Sequence, residues 1–164
     1  MLLFLHGAGG VDDDAPLAQA LAWALGTDLA MPPLPESDMS FPTWAAPIRE
    51  AIAQVTPTDV VIAHSFAGSI LLKVVAETPL DRATLLGVPD WGPAGWDVEE
   101  YRFHGPEPTT ALSLHHCRDD AVVPFEHLAR LSAQLPSAQV HTYDTGGHQF
   151  EGRLEEIAAT TRAS

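Results

Sequence analysis

A serine sits where two backbone preferences collide. In VVIAHSFAGSILLKVV, Val60 to Val75, a run suited to a buried strand meets Ala63-His64-Ser65-Phe66-Ala67-Gly68, and a helix-like apolar run follows at once. A serine at so tight a strand-to-helix turn adopts a strained backbone conformation that lifts its hydroxyl off the sheet. The chain nearly touches itself there, so the residues two before and two after must be small. Ala63 and Ala67 fill those places, where glycine is usual, and Gly68 lies one further on. The helix beginning beyond Ser65 would offer unpaired N–H groups and the positive end of its dipole to a developing oxyanion. Chemistry at a serine hydroxyl also needs a base within reach and a third group to orient that base. The plain alternative is a serine that only caps a helix.

The elements that must position this serine read as strands and helices in alternation. Leu2-Leu3-Phe4-Leu5 is a short continuous apolar run, the pattern of a strand buried on both faces. Helical spacing over Pro16–Leu25, with an acidic entry at Asp12–Asp14 and Gly26 as a stop, predicts the first helix. A weak strand over Asp28–Met31, a proline-rich loop (PPLPESDMSFPTW) and a helix over Pro47–Val55 come next. Val60–Ala63 is the strongest strand signal, followed by a helix over Phe66–Ala76 and a strand over Thr84–Val88. An irregular segment, Pro89 to Pro108, is rich in Gly, Pro, Trp and acids. Beyond it the pattern predicts a strand over Ala111–His115, a helix over Phe125–Gln134, a strand over Val140–Tyr143 and a last helix from about Gln149 to Thr161. Alternation of this kind means a mainly parallel sheet with right-handed crossovers. No repeat or linker divides the chain, so one domain over 1–164 is expected, with 89–110 as a small lid segment.

In such sheets the loops at the carboxyl ends of the strands build the ligand site. Those loops carry His6-Gly7-Ala8-Gly9-Gly10, then His64-Ser65-Phe66, then Asp90, Arg118-Asp119-Asp120 and Thr145-Gly146-Gly147-His148. A serine, several acids and a histidine thus gather at one edge. His148 as a helix cap or surface ion-pair partner, and Asp120 as a turn residue, are the unreactive alternatives.

Four of these stretches resemble the α/β-hydrolase superfamily. LFLHGAGG is similar to its first-strand oxyanion loop, AHSFAG to a variant nucleophile elbow, CRDDAVVPF to the acid loop and DTGGH to the histidine loop. They run from residue 2 to residue 148 in the order Ser, Asp, His. Chain size, the proline-rich loop leading to Trp44 and the lack of a cap domain bring it nearest the small serine hydrolases of the YdeN and retinoblastoma-binding-protein type. The sequence starts directly at the strand bearing the HG motif, so about six mainly parallel strands flanked by helices are expected instead of eight. The resemblance implies Ser65 as nucleophile, His148 as general base and Asp120, four residues before Pro124, as the acid. Asp119 is the alternative acid and Asp90 a third. It implies the N–H groups of Ala8 and Phe66 as oxyanion donors. Apart from the resemblance, Trp91, Trp96 and Tyr101 in the irregular segment would either line a substrate pocket beside Ser65 or pack over the sheet edge. The activity implied is hydrolysis of a small acyl ester or thioester through an acyl-enzyme, without cofactor. Acyltransferase or other cofactor-free chemistry, or a non-catalytic binding module, are the alternatives on the same fold.

The resemblance implies a small-molecule acyl substrate as partner, and composition narrows the other partners. The 164 residues carry a net charge of −14 and only eight Lys and Arg, which disfavours nucleic acid and anionic membrane surfaces. MLLFL lacks the basic flank of a signal peptide and reads as a strand, so a cytoplasmic location is expected. Cys117 is the single cysteine, which rules out an internal disulfide. His115-His116-Cys117 places its side chains on alternating faces, with no matching ligand cluster, so no metal site is expected. His64 and His6 read as packing and loop-organising residues. The oligomeric state is not encoded in these patterns.

Overall fold

The computed structural model describes residues 1–163. Six strands form one sheet in the order β2-β1-β3-β4-β5-β6, with every neighbouring pair parallel. The strands are β1 (Leu2–Leu5), β2 (Leu29–Ala30), β3 (Val60–His64), β4 (Arg82–Leu86), β5 (Ala111–Cys117) and β6 (Gln139–Tyr143). The helices are α1 (Val11–Leu25), α2 (Phe41–Ile52), α3 (Ser65–Glu77), α4 (Glu126–Gln134) and α5 (Leu154–Ala163).

Alternation along the strands sorts the core into two layers. Leu3, Leu5, Val61, Ala63, Leu85, Leu112 and Leu114 face α2, α3 and α4, and Trp44, Ile48, Ile70 and Leu128 pack on them. Leu2, Phe4, Ile62, Leu86 and Cys117 face the other way, onto Leu17 and Leu21 of α1 and Ile157 of α5. Both faces are covered, which is why the central strands read as continuous apolar runs. Among the described residues no cap domain is added to this sheet.

Several boundaries move from their sequence-based expectation, each for a local reason. Helix α1 begins at Val11, not Pro16. Asp12, Asp13 and Asp14 occupy its first turn, where carboxylates favour the helix dipole, and Pro16 forfeits only one early bond. Helix α2 begins at Phe41, inside the stretch read as loop, because Pro42 stands at the first turn, where its missing N–H costs nothing. Strand β4 ends at Leu86, since Gly87 turns to φ 56°. Helix α5 starts at Leu154, not Gln149, because Phe150 at φ 55° and Gly152 at φ 73° keep the preceding residues out of the helix.

Candidate active site

The turn from β3 to α3 sets the geometry. Ser65 is one of three non-glycine residues with positive φ among the described residues, at 53°. Such a conformation costs about 1–2 kcal/mol for a residue with a Cβ and persists only where the surrounding structure imposes it. Here strand β3 is buried and helix α3 starts at once, leaving no residues for a relaxed turn. Its first N–H groups, that of Phe66 among them, have no partner within the helix.

The loop after β1 runs against this turn. A Cβ on Gly7 would come within 3.0 Å of Ser65 Cβ, so glycine is what lets the two backbones approach. The Gly7 N–H is committed to Asp14 Oδ2 at 2.7 Å. The next residue, Ala8, lines the cleft with Ser65. His6 organises the loop from beneath, accepting the Leu34 N–H at Nε2 over 3.0 Å.

From the other end of the chain come His148 and its acid. His148 Nδ1 lies 2.7 Å from Asp120 Oδ2, and the Asp120 carboxylate also accepts the N–H groups of Val122 and Val123 at 2.8 Å each. His116 Nε2 stands 3.4 Å from the same carboxylate oxygen. Burial alone would raise the Asp120 carboxyl; hydrogen bonds from His116, His148 and Val123 overcome it and hold the group well below the usual carboxylate range. An ionised Asp120 only accepts, so it fixes a hydrogen on His148 Nδ1.

The neighbouring acids are occupied elsewhere. Asp119 accepts the N–H groups of Gly146 and Gly147 at 3.2 and 2.8 Å, which shapes the loop before His148. Asp90 is buried and bonds the Gly92 N–H and the Gln134 amide.

Ser65 and His148 open onto one cleft of about 500 Å³. No hydrogen bond joins the two side chains among the described residues. The serine hydroxyl turns about a single χ1 bond, so its direction is set by whatever occupies the cleft. One wall is aromatic: Phe66, Trp91, Trp96 and Tyr101 meet edge to face with ring centroids 4.8–5.8 Å apart. Trp91 Nε1–H is spent on Ser69 Oγ at 2.7 Å and the Tyr101 hydroxyl on the Met39 carbonyl at 3.0 Å, so both rings present carbon. No Lys or Arg is among the cleft-lining residues, whereas Asp13 is.

Sequence reasoning missed Met39, Val122 and Gln149 in the lining, and it read Asp14 as a mere helix-entry charge. An apolar or amide residue in a loop carries no signal of its own, and three consecutive aspartates look alike by type. Among the described residues no group of three or more His, Cys, Asp or Glu side chains is arranged to hold a metal ion, and no helix is long and apolar enough to cross a membrane.

No protein-family model matches the chain, and no curated protein matches it by sequence. Solved structures do match. Alpha/beta hydrolase domain-containing protein 10 from mouse superposes with a TM-score of 0.78 at 12% identity, covering 99% of this chain and 88% of its own. The chain has the α/β-hydrolase fold. The ydeN gene product of B. subtilis shares this fold at TM-score 0.75 and 14% identity, with 99% and 98% of the two chains covered. Est1E from Butyrivibrio proteoclasticus matches at TM-score 0.76 and 13% identity over 99% and 85%. The near-complete coverage of the ydeN product agrees with an α/β-hydrolase fold that carries no cap domain.

Proposed function

We propose that this protein is a serine hydrolase that cleaves a small, neutral acyl ester or thioester through an acyl-enzyme. The observation that carries the reading is the backbone of Ser65, held at φ 53° on the strand-to-helix turn in the cleft that His148 shares. Nothing in helix capping requires that strain.

Ser65 Oγ attacks the acyl carbon while His148 Nε2 takes the hydroxyl proton. The carbonyl electrons move onto oxygen, which the N–H groups of Ala8 and Phe66 stabilise. The C–O or C–S bond then breaks, and the leaving alcohol or thiol takes the proton from His148. Water attacks the acyl-serine, gives its proton to His148, and the acid departs as Ser65 Oγ recovers the proton. Asp120 holds the imidazole in the tautomer this sequence needs and offsets its transient positive charge. The carbon-faced wall of Trp91, Tyr101 and Phe66 suits the acyl group. The lining holds no Lys or Arg, and both His64 nitrogens are engaged within the protein, so an acyl group ending in carboxylate or phosphate finds no free cationic partner.

Stopped-flow hydrolysis of p-nitrophenyl acetate and butyrate tests the proposal. A burst of nitrophenolate equal to the enzyme concentration, followed by slower steady turnover, is the expected record of an acyl-enzyme. Absence of both burst and turnover across neutral acyl esters would count against it.

A further inference from the structure

Within the lining of the cleft is a second carboxylate–imidazole pair that acyl transfer does not use. Asp14 and His64 are 3% and 1% exposed, and His64 Nδ1 is 2.7 Å from Asp14 Oδ2. Their other partners come from each segment that carries the proposed machinery. The Gly7 N–H, in the loop bearing Ala8, donates to Asp14 Oδ2 at 2.7 Å. His64 itself immediately precedes Ser65. From the histidine loop, the His148 carbonyl oxygen sits 2.9 Å from His64 Nε2, and the Gln149 amide donates to Asp14 Oδ1 at 2.9 Å.

The proton count on His64 follows from these partners. A carbonyl oxygen only accepts, so Nε2 must carry a hydrogen to bond it. Asp14 receives donors at both oxygens, the surroundings of an ionised carboxylate. An ionised carboxylate only accepts, so Nδ1 must donate too. A ring that donates from both nitrogens is an imidazolium. A neutral ring would set a lone pair against an oxygen 2.7 or 2.9 Å away.

We infer that Asp14 and His64 form a buried carboxylate–imidazolium pair that locks the Gly7 loop, the Ser65 turn and the His148 loop into one register. Both are positioning residues, and neither touches the reacting atoms. Fixing register is the best-attested use of a buried ion pair, whose net contribution to stability is often small. The consequence for turnover rests on the roles proposed above for Ser65 and His148; the ion pair does not.

The test reads the ring directly. Imidazole nitrogen NMR of the ¹⁵N-labelled wild-type protein at pH 7, assigned against His64→Gln, is expected to show hydrogens on both His64 nitrogens. Asp14→Asn keeps the shape and removes the charge. It is expected to leave one His64 nitrogen bare and to slow fluorophosphonate labelling of Ser65 about 100-fold, the loss that a displacement near 1 Å brings. A bare nitrogen on wild-type His64 overturns the proposal, and so does unchanged labelling in a folded Asp14→Asn. If that variant does not fold, the wild-type spectrum alone decides. A wild-type protein that shows both hydrogens yet never labels would refute the acyl-transfer reading and leave the ion pair standing.

Discussion

His148 Nδ1 donates to Asp120 Oδ2 over 2.7 Å, while the adjacent carboxylate of Asp119 is turned to the backbone of Gly146 and Gly147. Two neighbouring acids of the same type therefore have different work. Asp120→Asn preserves shape but presents an amide donor or a neutral acceptor to His148, which upsets the tautomer. It is expected to lower kcat for acyl esters by about 10⁴-fold. Asp119→Asn weakens only the loop contacts, and a loss of no more than about tenfold is expected, near the worth of one hydrogen bond. Steady-state kinetics of the two variants side by side make the comparison. Equal losses would mean that the assignment of the acid is wrong.

Gly87 ends β4 beside the same imidazole. Its φ is 56°, and a Cβ there would stand 3.2 Å from His148 Cε1 and Nδ1. Gly87→Ala is expected to cost about 1–2 kcal/mol of stability from the backbone alone, a fall in Tm of roughly 2–8 °C at this chain length. Displacing His148 should reduce kcat by a larger factor, about 100-fold. Thermal melts and kinetics on one preparation separate the two effects.

How much of this was legible in the sequence depends on what each position signals. The β3–α3 turn was plain, because an apolar β-branched run and a row of small residues leave few ways to place Ser65. The sheet followed from continuous apolar runs that both faces must cover. Helix starts were less legible where prolines stood: Pro42 was read as part of a loop and Pro16 as the first residue of its helix, yet a helix accepts proline within its opening turns. That misplacement hid Asp14. Only a helix running from Val11 turns the third aspartate of the run inward beneath Gly7. The positive φ of Phe150, a residue that seldom adopts it, could not be read from residue type.

Acid should weaken the fold well above the carboxylate range. His115 is buried, with its Nδ1 2.8 Å from the Tyr143 hydroxyl and its Nε2 unpartnered. Desolvation, with the nearby His141, pushes it from 6.5 down to about 3. Between those values the unfolded chain binds a proton at this position and the folded chain does not. The contribution to stability is full above pH 6.5 and is lost as pH falls toward 3, by up to roughly 1.4 kcal/mol per unit. Asp14, lowered from 3.8 to about 2, adds its own loss below pH 4. Urea unfolding at pH 7, 6, 5 and 4 should show the slope, and His115→Gln should flatten it. A slope unchanged in that variant would assign it to other groups.

The aromatic wall predicts acyl-chain preference. Each methylene buried against Trp91 and Tyr101 contributes about 0.8 kcal/mol, so kcat/KM is expected to rise about fourfold per carbon until the cleft is filled. Trp91→Ala should flatten that series while sparing acetate esters. Esters of dicarboxylic acids with a free terminal carboxylate should react far more slowly than neutral esters of equal length. A preference for the charged series would contradict the wall's role.

The central claim is that Ser65 is a nucleophile activated by His148. Labelling with a fluorophosphonate probe tests it most directly, comparing the wild-type protein with Ser65→Ala and His148→Ala, each shown to be folded by circular dichroism. The account predicts rapid stoichiometric labelling of the wild type, none in Ser65→Ala, and a rate in His148→Ala lower by at least about 10³-fold. Wild-type protein that stays unlabelled, or labelling that survives the loss of Ser65, would contradict it.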